Sequence, residues 1–291
     1  MKIYNLGSLN IDYVYAVPHF VTAGETLSAN AMQTFPGGKG LNQSVALAKA
    51  GAKVFHGGLV GENGDFLLKT LASAGVDCSR VETVEGSCGH AIIQLDSNGQ
   101  NCILLFPGAN RKVDGEYTRR FLADSQPGDI LLLQNEVSAL PEIFAISREK
   151  GLQIGFNPSP YDDSLKDIPL GDVKWWFCNE IEGAALFGSG DPDQIAANFA
   201  AAYPNSNLIL TLGGEGSLYA GGGEVIRQPI FKVDVVDTTG AGDCFMGYFM
   251  AATAAGKSPG QALKLASKAS AIVVSRKGAA VSIPAFDELT E

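Results

Sequence analysis

The sequence predicts an α/β fold in which a mainly parallel sheet is covered on both faces and a small β-layer stands apart from it. Three observations lead there. Short apolar runs at residues 129–133, 152–156, 174–178 and 207–212 alternate with helical stretches, the pattern of parallel strands buried on both faces. The runs at 89–96 and 101–106 alternate in polarity and are joined by Asp96-Ser97-Asn98-Gly99-Gln100, a hairpin with an Asn-Gly turn. A second pair of short runs, 13–18 and 26–35, lies around Thr22-Ala23-Gly24-Glu25. These four strands form a discontinuous unit, and no linker marks a domain boundary.

Composition narrows the class. A chain of 291 residues with 46% hydrophobic and 18% charged residues is globular and buries a sizeable core. Its 21 basic against 31 acidic residues leave a net charge of −10, which argues against a sequence-independent nucleic-acid surface or an anionic membrane. An anionic substrate needs only a local positive site. No stretch approaches the roughly 18 uninterrupted apolar residues of a membrane span. The N-terminus, Met1 to Gly7, reads as a first strand rather than a secretory signal. Cys78, Cys88, Cys102, Cys178 and Cys244 have neither C-x-x-C nor His/Cys ligand spacing. They read as reduced thiols of a cytoplasmic protein rather than a zinc site.

In chain order, residues 2–8 form a strand ending at Gly7-Ser8, and Asn10-Ile11-Asp12 follows. In extended chain Asn10 and Asp12 share a face. They can grip a polyol, the carboxylate accepting two hydroxyl protons, or simply solvate a strand end. Pro36-Gly37-Gly38-Lys39-Gly40-Leu41-Asn42-Gln43 turns the chain into a helix over about 42–50, and it is not a Walker A loop. A strand at 53–59 and a helix at 62–74 follow, with Gly75 as the stop. After the small β-layer, the strand at 129–133 leads to Gln134-Asn135-Glu136 and a helix at 141–149. The strand at 174–178 leads to Asn179-Glu180-Ile181-Glu182, and that at 207–212 to Gly213-Gly214. Ligands in such sheets sit outside the carboxyl ends of the strands. Asn10/Asp12, Glu136, Asn179/Glu182, Thr211–Gly216 and Gly240–Asp243 all fall there.

The central stretch is Asp237-Thr238-Thr239-Gly240-Ala241-Gly242-Asp243. It follows Phe231 to Val236, which reads as a strand, and precedes the buried helical run Cys244 to Ala251. A glycine turn at a helix N-terminus offers unpaired amides and the positive dipole end to an anion. Asp243 would repel that anion unless its task is to take a proton from a nucleophile attacking it. The alternative is an ordinary capping charge on a glycine turn.

Taken together, these motifs resemble the ribokinase branch of the PfkB carbohydrate kinase family over essentially the whole chain. The resemblance rests on Gly37 to Gln43 and on Asp237 to Asp243 with Phe245. Asn10-x-Asp12, Gly24-Glu25-Thr26, Gly108-Ala109-Asn110, Asn157-Pro158, Asn179-Glu180-x-Glu182 and Thr211-Leu212-Gly213 fit between them in order. It implies a Rossmann-like three-layer αβα sandwich over 1–291, with a discontinuous β-sheet lid built from about 13–35 and 88–107. It also implies an ATP-dependent sugar kinase acting on D-ribose. Deoxyribose, fructose or a nucleoside are alternative substrates, and a non-catalytic sugar-binding regulator is the reading from another class.

By the same resemblance, Asn10, Asp12, Gly38, Lys39, Asn42 and Glu136 hold the sugar and Asp243 is the general base. Gly240, Ala241 and Gly242 form the anion hole. Asn179, Thr211, Gly213, Gly216, Gly242 and Ser267 bind ATP, with Glu182 on Mg²⁺. Asp237, Thr239, Val273, Arg276, Gly278 and Ser282 surround K⁺, and lids pair in a homodimer. Ser267, Pro36 and Leu41 depart from the family pattern without removing a hydrogen-bonding group. Trp175-Trp176 read as packing residues, Arg119-Arg120 as a solvated helix face, and His19, His56 and His90 carry no catalytic role.

Overall fold

The computed structural model describes residues 1–289. The chain opens with β1 (Ile3–Leu6), β2 (Asn10–Ala16), β3 (Ala31–Gly37) and helix α1 (Lys39–Lys49). Next come β4 (Val54–Gly57), the two-residue β5 (Leu59–Val60), α2 (Asp65–Ser73), β6 (Glu82–Thr83) and the hairpin β7 (Gly89–Leu95) and β8 (Asn101–Phe106). Beyond α3 (Gly115–Phe121) lie β9 (Ile130–Gln134), α4 (Leu140–Glu149), β10 (Gln153–Asn157) and β11 (Val173–Asn179). α5 (Glu180–Phe187), α6 (Pro192–Ala202) and β12 (Asn207–Thr211) precede a second hairpin of β13 (Ser217–Gly221) and β14 (Glu224–Gln228). The last long elements are α7 (Ala241–Ala254) and α8 (Pro259–Val274).

The main sheet runs in the order β14-β13-β12-β11-β10-β9-β1-β4. It is parallel from β12 to β4, with the β13–β14 hairpin antiparallel at one edge. Each face carries its own core. Ile3, Leu132, Trp175 and Phe177 pack against Leu41 and Val45 of α1, Phe249 of α7 and Leu263 of α8. Tyr4, Leu133, Phe156 and Trp176 pack against Phe121 of α3, Phe144 of α4 and Phe199 of α6. The two-residue side-chain period therefore sends the neighbours Trp175 and Trp176 into opposite cores, both as packing residues.

β1 sits between β4 and β9, so the chain builds outward from it in both directions. The switch point opens a crevice beyond the ends of β1 and β9. Ser8 and Glu136 emerge on its two sides and are hydrogen-bonded to each other.

The small sheet has the order β3-β2-β7-β8, with β2–β7 parallel and the other two pairs antiparallel. All residues of β8 are exposed. Met32, Ile92, Ile103, Leu104, Leu105 and Phe106 leave an apolar surface on it. Among the described residues no helix is long and apolar enough to cross a membrane.

Several local expectations are corrected. The first pair of short strands lies at Asn10–Ala16 and Ala31–Gly37, not 13–18 and 26–35, so Asn10 and Asp12 begin the small sheet rather than trailing the first large one. The strand expected at 53–59 is broken into β4 and β5. Phe231–Val236 is not a strand; at its end the amides of Val236 and Asp237 bond to the Val274 carbonyl at the end of α8 rather than to a strand. Its Val233 and Val235 instead line a cavity. The β13–β14 hairpin and α8 were not anticipated. α8 carried its signal in Ser258-Pro259-Gly260-Gln261, a capping box with proline in the first turn.

Candidate active site

α7 begins at the glycine turn. Gly240 is its N-cap at φ +75°, and a Cβ there would also stand 2.9 Å from the Cβ of Ala279. α7 then packs directly on α1, because Gly247 has no side chain. A Cβ at that position would lie 2.4 Å from the Cβ of Ala46. This approach sets the first turn of α1 beside that of α7, where Asp243 is buried. Asn42 Nδ2 donates to Asp243 Oδ2 and Gln43 Nε2 donates to Asp243 Oδ1, each at 3.0 Å. Both carboxylate oxygens are thus held by α1.

Three more charged groups converge from other elements. Glu136, two residues beyond β9, accepts from the Ser8 hydroxyl and from the Lys39 amide at 3.1 Å. Burial raises its pKa against the opposing pull of the Lys39 charge and the Ser8 hydrogen bond. Burial pushes the Asp12 carboxyl up to about 7, and the charges of Glu136 and Asp243 add to that. Burial would lower the Lys39 pKa, but Asp243, Glu136 and Glu182 outweigh it and hold the ammonium charged. Asn10 is buried, and its Oδ1 accepts from Asn110 Nδ2 at 2.7 Å. Asn110 Oδ1 in turn accepts from the Leu9 amide at 3.0 Å. Gly38 closes the turn, its carbonyl accepting from the Asn42 amide.

A cavity of about 150 Å³ is lined by Lys39, Asn179, Glu182, Thr211, Gly240, Gly242 and Asp243, among others. It shares Asn179, Thr211, Gly242 and Phe245 with a larger hollow of about 680 Å³. All six residues expected at ATP line the larger hollow: Asn179, Thr211, Gly213, Gly216, Gly242 and Ser267. Its other walls are largely apolar, with Ile181, Ile230, Phe231, Val233 and Val235, but also carry Glu180, Lys232, Thr238 and Ser270. Asn179 and Glu182 cap α5 reciprocally: the Asn179 side chain accepts from the Glu182 amide, and the Glu182 carboxylate accepts from the Asn179 amide.

The residues expected around K⁺ fall on the loop before α7 and on the end of α8 with the segment that follows it, and the two meet. Asp237 Oδ1 accepts from the Thr239 amide and hydroxyl, while Oδ2 accepts from the Gly278 amide at 2.9 Å. Burial would raise the Asp237 pKa, but these hydrogen bonds prevail and lower it. The Val273 carbonyl accepts from the Arg276 amide, and the Ser282 hydroxyl donates to the Ala279 carbonyl. Carbonyl, hydroxyl and carboxylate oxygens suit a hard cation rather than a transition metal. Among the described residues no group of three or more His, Cys, Asp or Glu is arranged to hold a metal.

Sequence reasoning gave no role to the polar groups beneath the site. Gln134 Nε2 donates to Gln43 Oε1 at 2.7 Å and to Asn5 Oδ1 at 2.9 Å. Asn5 Nδ2 donates to the Ser44 hydroxyl and to the Gly40 carbonyl, both at 2.8 Å. Ser44 meets His56 Nδ1 at 2.8 Å, and burial pushes His56 down to about 3, so it stays neutral. The only signal in the sequence was polar residues inside apolar runs, such as Asn5 in Ile-Tyr-Asn-Leu and Gln134 after Leu-Leu-Leu.

A fixed carboxylate in the first turn of a helix, beside a half-buried ammonium and lining a cavity that adjoins a large hollow, can accept a proton while helix amides hold an anion. Fold and site are those of an α/β phosphotransferase. The chain belongs to the pfkB family of carbohydrate kinases, which it matches over residues 2–285. It is 34% identical to a ribokinase of Haemophilus influenzae over 98% of this chain and 96% of that one. It is 31% identical to a deoxyribokinase of Salmonella typhi over 100% of this chain and 98% of that one. Among solved structures, that of Arabidopsis thaliana ribokinase complexed with ribose and ATP superposes with a TM-score of 0.87 at 30% identity, covering 99% of this chain and 97% of that one.

Proposed function

We propose that the chain transfers the terminal phosphoryl group of ATP to the 5-hydroxyl of D-ribose. The observation that carries this reading is Asp243, clamped through both oxygens on the wall of the smaller cavity, next to Gly242, which lines both cavities. Asn10, Asp12, Gly38, Lys39, Asn42 and Glu136 hold the sugar hydroxyls. Asp243 takes the proton of the attacking hydroxyl, and the amides of Gly240, Ala241 and Gly242 stabilise charge on the transferred group. The charged Lys39 offsets repulsion between Asp243 and the phosphates. The ATP base and ribose occupy the larger hollow, along Thr211, Gly213, Gly216 and Ser267, and Asn179 reaches the phosphates.

Glu182 would help hold Mg²⁺ brought with the nucleotide, and the ion would supply positive charge against the phosphates. The segments bearing Asp237, Thr239, Val273, Arg276, Gly278 and Ser282 would seat K⁺ behind the anion hole, a reading supported by their oxygen donors. The small sheet is a lid over the sugar. Its exposed Leu104, Leu105 and Phe106 support pairing of two lids in a homodimer. Five free thiols support a cytoplasmic setting.

The 31% match to a deoxyribokinase keeps deoxyribose as a second substrate reading. The two sugars differ by one hydroxyl, which a site built to hydrogen-bond it can distinguish strongly. ADP release measured across ribose, deoxyribose, fructose and nucleosides tests the proposal. The highest kcat/KM is expected with ribose; preference for any other acceptor overturns it.

A further inference from the structure

The buried amides under the site have a single sense. Asp243, as a carboxylate, only accepts, so Gln43 must turn its NH₂ toward Oδ1 and its carbonyl away. That carbonyl requires a donor, and Gln134 supplies its NH₂, which also serves the Asn5 carbonyl. The Asn5 NH₂ then ends on the backbone carbonyl of Gly40 and on Ser44. Acceptors at both ends leave no alternative orientation for any amide between them.

The chain runs from the base on α7, through α1, to β1 and β9, the strands flanking the switch point. Gln43 and Gln134 are both 0% exposed, so neither reaches a substrate. The arrangement also carries a penalty. Gln134 Oε1 is buried without a hydrogen-bond partner, and Gly7 makes room for it, since a Cβ there would stand 2.1 Å from that oxygen. An orphaned buried acceptor lowers stability, so packing alone does not account for a glutamine at this position.

We infer that Gln43 and Gln134 are positioning residues for phosphoryl transfer, a one-way amide chain that ties the orientation of the Asp243 carboxylate to the centre of the main sheet. Gln43 and Asn42 together stop the carboxylate rotating, so the lone pair left free keeps one direction toward the acceptor hydroxyl. The inference rests on Asp243 being the general base.

The test compares Gln43→Met, Gln134→Leu, the double variant and Asp243→Asn by steady-state kinetics and thermal melting. Gln43→Met is expected to lower kcat about 10- to 100-fold, the range for losing a hydrogen bond to a charged group, with KM for sugar and ATP within about twofold. Gln134→Leu never touches Asp243, yet it should lower kcat about 3- to 20-fold with both KM values within about twofold. It leaves the side-chain carbonyls of Gln43 and Asn5 without their donor and so should lower the melting temperature. The double variant should resemble Gln43→Met alone, because both act through one bond. Full kcat in both single variants, or losses that multiply in the double variant, overturn the chain. Should Gln43→Met not fold, Gln134→Leu decides alone by the same kcat criterion. Near-full turnover in Asp243→Asn instead removes the base itself, a separate failure.

Discussion

Gly89→Ala is the sharpest probe of the sugar-binding reading, because its closest clashes fall on the Asn10–Asn110 hydrogen bond. Gly89 faces Asn10 across the parallel β2–β7 pair, and its φ lies outside the left-handed region, so the backbone accepts alanine. The new Cβ would fall 2.2 Å from Asn10 Oδ1 and 2.2 Å from Asn110 Nδ2, inside the hydrogen bond joining them, and 2.9 Å from the Pro107 carbonyl, which must also give way slightly. Asn110 is pinned by the Leu9 amide, so Asn10 must swing away. Losing that buried bond and misplacing a ligand costs about 1–3 kcal/mol. At about 1.4 kcal/mol per tenfold, KM for the sugar rises about 5- to 150-fold. Binding through Asn10 is common to ground and transition states, so kcat should stay within a few-fold. KM for ATP should hold, since Gly89 does not line the larger hollow. The assay is coupled ADP release with sugar varied at saturating ATP, alongside a melting curve. An unchanged sugar KM in a folded Gly89→Ala protein would refute the role given to Asn10.

Asp243→Asn should lower kcat about 10²- to 10⁴-fold, as expected for removing a general base, and its NH₂ would also confront the donors of Asn42 or Gln43; single-turnover kinetics reads this. Asp12 titrates near 7, and once protonated it cannot accept two hydroxyl protons. Sugar KM should therefore climb up to about tenfold per pH unit below 7, and a flat profile to pH 5.5 counts against Asp12 as a ligand. The same group affects stability with the opposite sign. Its folded pKa lies above the ordinary 3.8, so between those values the native state binds the extra proton, and Asp12's share of stability rises as pH falls. Leu104→Lys with Phe106→Lys should convert a dimer to a monomer in light scattering; an unchanged dimer places the interface elsewhere.

The α/β class was legible because continuous apolar runs such as Ile-Leu-Leu-Leu can be buried on both faces only in a covered parallel sheet. The small sheet was legible from its hairpin turn, where the Asp96 side chain accepts from the amides of Asn98 and Gln100. Phe231–Val236 misled for a physical reason. Apolar alternation reports burial of one face, and a cavity wall satisfies it as well as a strand partner does.

The candidate site divides along the same line. Residue type and local spacing determined that Asp243 would stand in the first turn of a helix, that glycines would bare the amides before it, and that polar groups would cluster at strand ends. Those are short-range properties of backbone sterics and side-chain period. Only the tertiary structure decided that Gln43 and Asn42 would grip the two oxygens of Asp243, that Gln134 and Asn5 would lie behind them, and that Asn110 would hold Asn10. Those contacts join residues about 100 to 200 positions apart. They exist because Gly247 lets α7 close on α1 and because β1 lies beside β9, arrangements set by packing across the whole core.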